Sequence, residues 1–302
     1  MEHDVMATTT EDGGSRRATV TEQTIAGFPA FVGTPAPGAS GRAPVVLLHG
    51  AFADHHAFPN WLQRFAEDGH IAYAPARRGR VGIGPDRAEG LDVEDYLEDT
   101  RAVIAALDEA PIIVGHSLGG LLAQQLAAEG RARAIVLLAS APPAMLTAQP
   151  IALRRFGPQM PRIMAGRPFV VSDDACSVLA LNKVPTDRRP AIHAHLTPES
   201  GKVYRALMMG SVRVDASKVR VPVFVAGGTD DRIISTKLVR KTARHYGVEA
   251  KIYPDHGHWL VDEPGTERIM DDVTDWLAAA VPDAPAADDV RVGAGPDRAS
   301  RG

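Results

Sequence analysis

A single cysteine, Cys176, occurs in the 302 residues. One thiol forms neither an internal disulfide framework nor a multi-cysteine metal site, so both are excluded. Long apolar runs are missing as well. No stretch approaches the roughly 20 residues that a membrane-spanning helix needs. The first residues, Met1-Glu2-His3-Asp4, have no apolar segment of the kind a secretory signal uses, and a cytoplasmic location is expected. Neither sign of charge is in large excess. With 33 Lys and Arg against 37 Asp and Glu the formal net charge is −4. No basic run marks a nucleic-acid-binding face. What remains is an ordinary soluble composition, long enough for one domain with an insertion or for two small domains.

The pattern of apolar residues alternates between two periods. Residues 18–25 and 28–33 read as an antiparallel strand pair joined at Ala26-Gly27. The continuous apolar runs at 45–48, 71–74, 111–114, 134–138 and 221–225 read as strands buried on both faces. Residues 249–253 read as a last strand. Residues 58–68, 235–246 and 267–280 read as helices. Val93, Tyr96, Leu97, Thr100, Ile104 and Leu107 recur at the spacing of a helix stripe. Strands alternating with helices predict an α/β fold with a mostly parallel central sheet flanked by helices. Residues 142–218 break this rhythm. They are rich in proline, hold only short helical pieces, and are too long for a structureless loop. They are expected to be a mainly helical cap between two core strands, with the core at 18–141 and 219–281. Residues 1–17 and 282–302 have little to bury and are expected to be loose tails.

The most informative segment is Gly115-His116-Ser117-Leu118-Gly119. It follows Pro111-Ile112-Ile113-Val114 and precedes Gly120-Leu121-Leu122-Ala123-Gln124. A buried strand thus runs through a Gly-x-Ser-x-Gly turn into a helix, the setting in which this pattern forms a nucleophile elbow. The glycines permit a turn too tight for side chains. Ser117 Oγ is expected above the sheet. The Leu118 N–H, at the helix start, is expected to face an oxygen that develops negative charge.

Three more motifs follow strands: His49-Gly50-Ala51-Phe52, Gly228-Thr229-Asp230-Asp231-Arg232-Ile233-Ile234 and His256-Gly257-His258-Trp259. With the elbow, and in this order, they resemble the α/β-hydrolase fold superfamily over nearly all of residues 18–281. The resemblance implies a triad of Ser117, Asp231 and His258. Asp230 is the neighbouring alternative for the acid. His258 is preferred to His256 because it follows a glycine. The His-Gly turn implies a second oxyanion donor, the Ala51 N–H, opposite that of Leu118. Each such donor is worth on the order of 3 kcal/mol of transition-state stabilisation. Some members carry the acid after the preceding strand, but Ala139-Ser140-Ala141-Pro142-Pro143 has no carboxylate. A serine at the elbow separates the chain from the epoxide hydrolases and haloalkane dehalogenases, which use aspartate there. The loop Ala76-Arg77-Arg78-Gly79-Arg80-Val81-Gly82 keeps Arg78 and Gly79 of a frequent family pattern, Asp-x-Arg-Gly-x-Gly-x-Ser, and lacks its aspartate and serine.

These features imply a serine hydrolase that cleaves a carboxylic ester, lactone or thioester through an acyl-enzyme on Ser117, with no cofactor or metal. The expected partner is a small apolar or amphipathic acyl substrate, not nucleic acid. Related proteins turn the same triad to lyase, acyltransferase, perhydrolase or biosynthetic cyclase and dehydratase chemistry. A low-turnover small-molecule receptor is the reading from another class. Phe52, His116, Met145 and Trp259 are the expected pocket wall. Met145, Met160, Met164, Met208 and Met209 either pack the insertion's own core or form a deformable roof. His55, His56, His193 and His195 have no further ligand evident in sequence and read as solvated or locally hydrogen-bonded. Cys176 reads as a packed thiol.

Overall fold

In a computed structural model, residues 17–39, 41–80, 85–144 and 149–281 are described. Residues 1–16 and 282–302, expected as tails, lie outside them, as does Met145. Among the described residues eight strands form one sheet: β1 (Thr19–Ile25), β2 (Phe28–Thr34), β3 (Arg42–Leu48), β4 (His70–Pro75), β5 (Ile112–His116), β6 (Ala134–Leu138), β7 (Val223–Gly228) and β8 (Ala250–Tyr253). Their order is β1-β2-β4-β3-β5-β6-β7-β8. From β4 to β8 every neighbouring pair is parallel, and β2 runs against both of its neighbours.

Helices cover both faces, and this explains the unbroken apolar runs. Val45, Leu47, Ile112 and Val114 face one way, onto α1 (Pro59–Glu67) and the last helix. Val46, Leu48, Ile113 and Ile135 face the other way. They pack on α2 (Val93–Ala105) and α3 (Leu118–Ala128). Asp92 starts α2 with a reciprocal capping box to Asp95. Between β6 and β7 the described residues form five short α-helices: α4 (Pro150–Phe156), α5 (Met160–Met164), α6 (Asp173–Leu179), α7 (Arg189–Ala194) and α8 (Gly201–Met209). Prolines sit in the first turn of α4, α5 and α7, where a missing N–H costs nothing. This insertion adds Ala152, Phe156, Ile163, Phe169 and Leu179 to the first apolar face. Then α9 (Thr236–His245) and α10 (Thr266–Ala280) complete the two layers.

Several strands have bounds that differ from their readings, with β3 beginning at Arg42 and β5 ending at His116. β7 runs on through Gly227 and Gly228, which pair with Ile252 and Tyr253 of β8. Both glycines are needed for close packing. A Cβ on Gly227 would stand 2.6 Å from Val239 Cγ2, and one on Gly228 would stand 2.1 Å from the His256 carbonyl oxygen. β3, β5, β7 and β8 all end on one edge of the sheet, and the four motifs follow them there. This is the edge where parallel sheets gather their sites.

Candidate active site

Ser117 stands between β5 and α3 with φ 52° and ψ −116°. Positive φ is costly for a residue with a Cβ and persists only where its surroundings over-determine it. Here the backbone is tied on both sides. The Ser117 N–H donates to the Leu138 carbonyl at 3.1 Å, and the Ser117 carbonyl accepts from the Ala141 N–H at 2.9 Å. The glycines explain how the helix comes so near. A Cβ on Gly119 would stand 1.9 Å from the Leu48 carbonyl oxygen, and one on Gly120 would stand 2.3 Å from Ser140 Oγ. Leu118 opens α3, so its amide belongs to the unpaired first turn of the helix.

Asp231 and His258 meet behind this corner. His258 Nδ1 lies 2.9 Å from Asp231 Oδ2. The other carboxylate oxygen accepts the backbone N–H groups of Ile233 at 2.7 Å and Ile234 at 2.8 Å. Both residues are buried. A carboxylate placed in this way accepts from Nδ1 and fixes the imidazole tautomer, leaving Nε2 as the nitrogen free to act. Asp230 faces elsewhere, with Oδ2 at 2.6 Å from Lys183 Nζ. His256 faces Glu263 at 3.3 Å. The structure therefore brings Asp231, not Asp230, to His258, not His256.

The turn after β3 is fixed by an arginine. Arg77 is buried and donates to the His49 carbonyl at 2.9 Å, to the Gly50 carbonyl at 3.1 Å and to His49 Nδ1 at 3.1 Å. Burial, with Arg80 nearby, pulls its pKa down to about 10. The Gly50–Ala51 peptide is trans, so pinning the Gly50 carbonyl to Arg77 turns the Ala51 N–H the opposite way. Phe52, with φ 62°, is held from the insertion. Its carbonyl accepts from the Thr197 N–H at 2.7 Å, and its N–H donates to Glu199 Oε2 at 3.3 Å. Glu199 pairs with Arg80 at 2.5 Å, both side chains fully buried, and accepts from Tyr96 OH at 2.7 Å. The Phe52 ring enters a cluster with Phe156, Phe169 and Tyr204, with centroids at 6.3, 5.1 and 5.6 Å.

One cavity of about 90 Å³ collects these parts. Gly50, Ala51, Phe52, His116, Ser117, His258 and Trp259 border it from the core. The insertion adds Leu153, Phe156, Val171, Leu179, Tyr204 and Met208. The wall is largely aliphatic and aromatic, as suits an apolar ligand. Of the expected pocket residues, Phe52, His116 and Trp259 border the cavity, whereas Met145 lies outside the described residues. Among the other methionines, Met208 lines the wall, and Met164 and Met209 are exposed. Cys176 also lines it, with burial pushing its thiol up to about 12. His116 donates from Nε2 to the His258 carbonyl at 2.8 Å, and burial followed by the nearby His258 holds its pKa down at about 3.

The profile of the alpha/beta hydrolase family matches residues 45–269. The chain belongs to the alpha/beta hydrolase family. It is 30% identical over 262 residues to a monoacylglycerol lipase of Mycolicibacterium smegmatis, covering 80% of this chain and 90% of that one. Its fold is similar to that of a soluble variant of Saccharomyces cerevisiae monoglyceride lipase (TM-score 0.69, 15% identity, 91% of this chain and 99% of that one). It is also similar to a Thermogutta terrifontis esterase (TM-score 0.64, 19% identity, 87% and 99%). What sequence reading of this α/β-hydrolase missed is the support around the turn. Arg77 and Arg80 stand in the loop that departs from the family pattern, and that departure was the available signal. Glu199, between Pro198 and Ser200, carries no local signal at all.

Two predictions arise from this geometry. Lysine is a point charge and cannot span two carbonyls as a guanidinium does. In Arg77→Lys, kcat for an activated ester should fall at least roughly tenfold, with KM changed by less than about threefold. Steady-state kinetics check this, and an unchanged kcat contradicts it. Separately, the unfolded chain protonates His116 near its ordinary 6.5, but the folded chain refuses that proton down to about pH 3. The stability His116 contributes is complete above the unfolded value and is lost as pH falls through this window. The slope for one proton is about 1.4 kcal/mol per pH unit. Urea titrations of His116→Asn between about pH 6.5 and 4.5 should be flatter than wild type by about one proton, and an identical slope contradicts this.

Proposed function

We propose that this α/β-hydrolase cleaves carboxylic esters by way of an acyl-enzyme on Ser117. One observation carries the reading: His258, paired at 2.9 Å with the buried Asp231, borders the same apolar cavity as a serine strained into positive φ. A serine hydroxyl is a weak nucleophile and must lose its proton as it attacks. His258 Nε2 takes that proton, since Nδ1 is committed to Asp231. The new bond joins Ser117 Oγ to the carbonyl carbon, and the carbonyl electron pair moves onto oxygen. The Ala51 and Leu118 N–H groups stabilise that oxyanion. Collapse breaks the bond to the leaving alcohol, which receives the proton from His258. Water, deprotonated by the same imidazole, then releases the acid and restores Ser117.

The cavity wall supports an apolar acyl chain, with the residues from α4, α6 and α8 serving as its roof. In this reading residues 142–218 act as the cap, and 18–141 with 219–281 as the core. The likeness to a monoacylglycerol lipase supports a single-chain glycerol ester as the substrate class. The test is hydrolysis of p-nitrophenyl esters of increasing chain length, and of monoacylglycerols, by wild type beside Ser117→Ala. Wild type should turn over apolar esters, and the variant should lose at least about 10⁴-fold in kcat while retaining its circular dichroism spectrum. No turnover of any ester by wild type, or equal turnover by the variant, contradicts the proposal.

A further inference from the structure

The loop that holds Phe52 runs on into Asp54-His55-His56, and the fold brings His195, at the end of α7, against it. One ligand-capable atom from each of Asp54, His55 and His56 lies within 4.8 Å of the others. His56 Nδ1 is 3.0 Å from Asp54 Oδ1, and His195 Nδ1 is 3.9 Å from Asp54 Oδ2. The His56 and His195 rings stack with centroids 3.9 Å apart, and those of His55 and His56 are 4.4 Å apart. Three imidazoles from two distant parts of the chain thus surround one buried carboxylate. The His55 side chain is only 8% exposed, and neither of its ring nitrogens makes a hydrogen bond among the described residues. Its Nε2 faces Glu22 Oε1 at 3.8 Å. A buried imidazole left without a hydrogen bond is costly and is a reason to look for a missing partner.

We propose that Asp54, His56 and His195, with a ring nitrogen of His55, form a site for a divalent first-row transition cation, Zn²⁺ above all, that pins the helical insertion to the loop carrying the oxyanion turn. The donor set is the argument for the class of ion. Three imidazoles and one carboxylate suit zinc and its neighbours, whereas calcium and magnesium take oxygen ligands. Gathering the donors to bond lengths of about 2.0–2.1 Å requires side-chain shifts on the order of 1 Å. His56 and His195 have room for this, since their side chains are 36% and 49% exposed. They also border a cavity of about 230 Å³ with Ile192, Trp259 and Asp262, which gives an ion a way in. On binding, the cation takes the place of any proton shared between the His56 ring and Asp54, and that proton leaves to solvent. Trp259 borders this cavity and the one at Ser117, so the two share a wall. The proposal stands whether or not Ser117 is the nucleophile.

The test uses the full chain, expressed without a polyhistidine tag, stripped with chelator and dialysed against micromolar Zn²⁺. Metal content is measured together with thermal unfolding across zinc concentrations. Wild type should retain one zinc per chain, and its Tm should rise with zinc concentration, as for a ligand that binds only the folded state. His56→Ala and His195→Ala should each lose both responses, and His245→Ala, an exposed histidine elsewhere, should keep them. Both loss variants change half-exposed side chains, so folding is checked by circular dichroism without metal. Cobalt in place of zinc should give the visible absorption of a four-coordinate site in wild type and not in His195→Ala. A wild type that retains no zinc overturns the proposal. So does zinc retained by His56→Ala or His195→Ala at the wild-type level, which places the ion elsewhere.

Discussion

The contact between Gly119 and the Leu48 carbonyl governs the geometry of the whole sheet edge. A single Cβ at position 119 would stand 1.9 Å from that oxygen, so α3 rests directly on the end of β3. The next residues of β3's chain form the His49–Phe52 turn, and the residue before Gly119 is Leu118. Backbone contact at this one point therefore sets how the Ala51 and Leu118 amides lie relative to each other. It also forces the strand-to-helix corner that leaves Ser117 at φ 52°. Strain at that corner is sustained because the parallel strands on either side are buried on both faces and cannot relax.

The turn itself is held from two directions by charged groups removed from water. From below, Arg77 takes up the His49 and Gly50 carbonyls. From above, Glu199 receives the Phe52 N–H, and Arg80 neutralises Glu199. A buried pair of this kind is costly to break, by about 3–5 kcal/mol, because either partner alone is an uncompensated charge. The consequence is a mechanical link between the insertion and the His49–Phe52 turn. Phe52 strengthens it through the aromatic cluster with Phe156, Phe169 and Tyr204. The roof of the cavity and the turn at its floor are thereby tied into one unit.

Much of the fold is legible in sequence because its signals are local. The runs at 45–48 and 134–138 are apolar on both faces, and their strands are found at Arg42–Leu48 and Ala134–Leu138. The motifs at 49–52, 115–119, 228–234 and 256–259 each follow a strand, so the parallel topology alone brings them to one edge. The resemblance already pointed to Asp231 before Asp230, and what it did not contain is the support of that side chain, whose second oxygen accepts the Ile233 and Ile234 amides. The clamp was not legible. Arg80 and Glu199 are 119 residues apart, and nothing in a one-dimensional pattern pairs them. The insertion was readable only as proline-broken helical pieces, since short helices get their stability from tertiary packing rather than from a long periodic stripe. The meeting of His195 with His56 belongs to the same class, a contact set by where α7 docks.

The account depends on Ser117 lying between one imidazole and two amides. The most direct measurement is a crystal structure of the protein after reaction with an alkyl fluorophosphonate. Phosphorus bonded to Ser117 Oγ is expected, with the phosphonyl oxygen at about 2.7–3.1 Å from both the Ala51 and the Leu118 nitrogens. A phosphonyl group on another residue, or one on Ser117 whose oxygen points away from both amides, would contradict it.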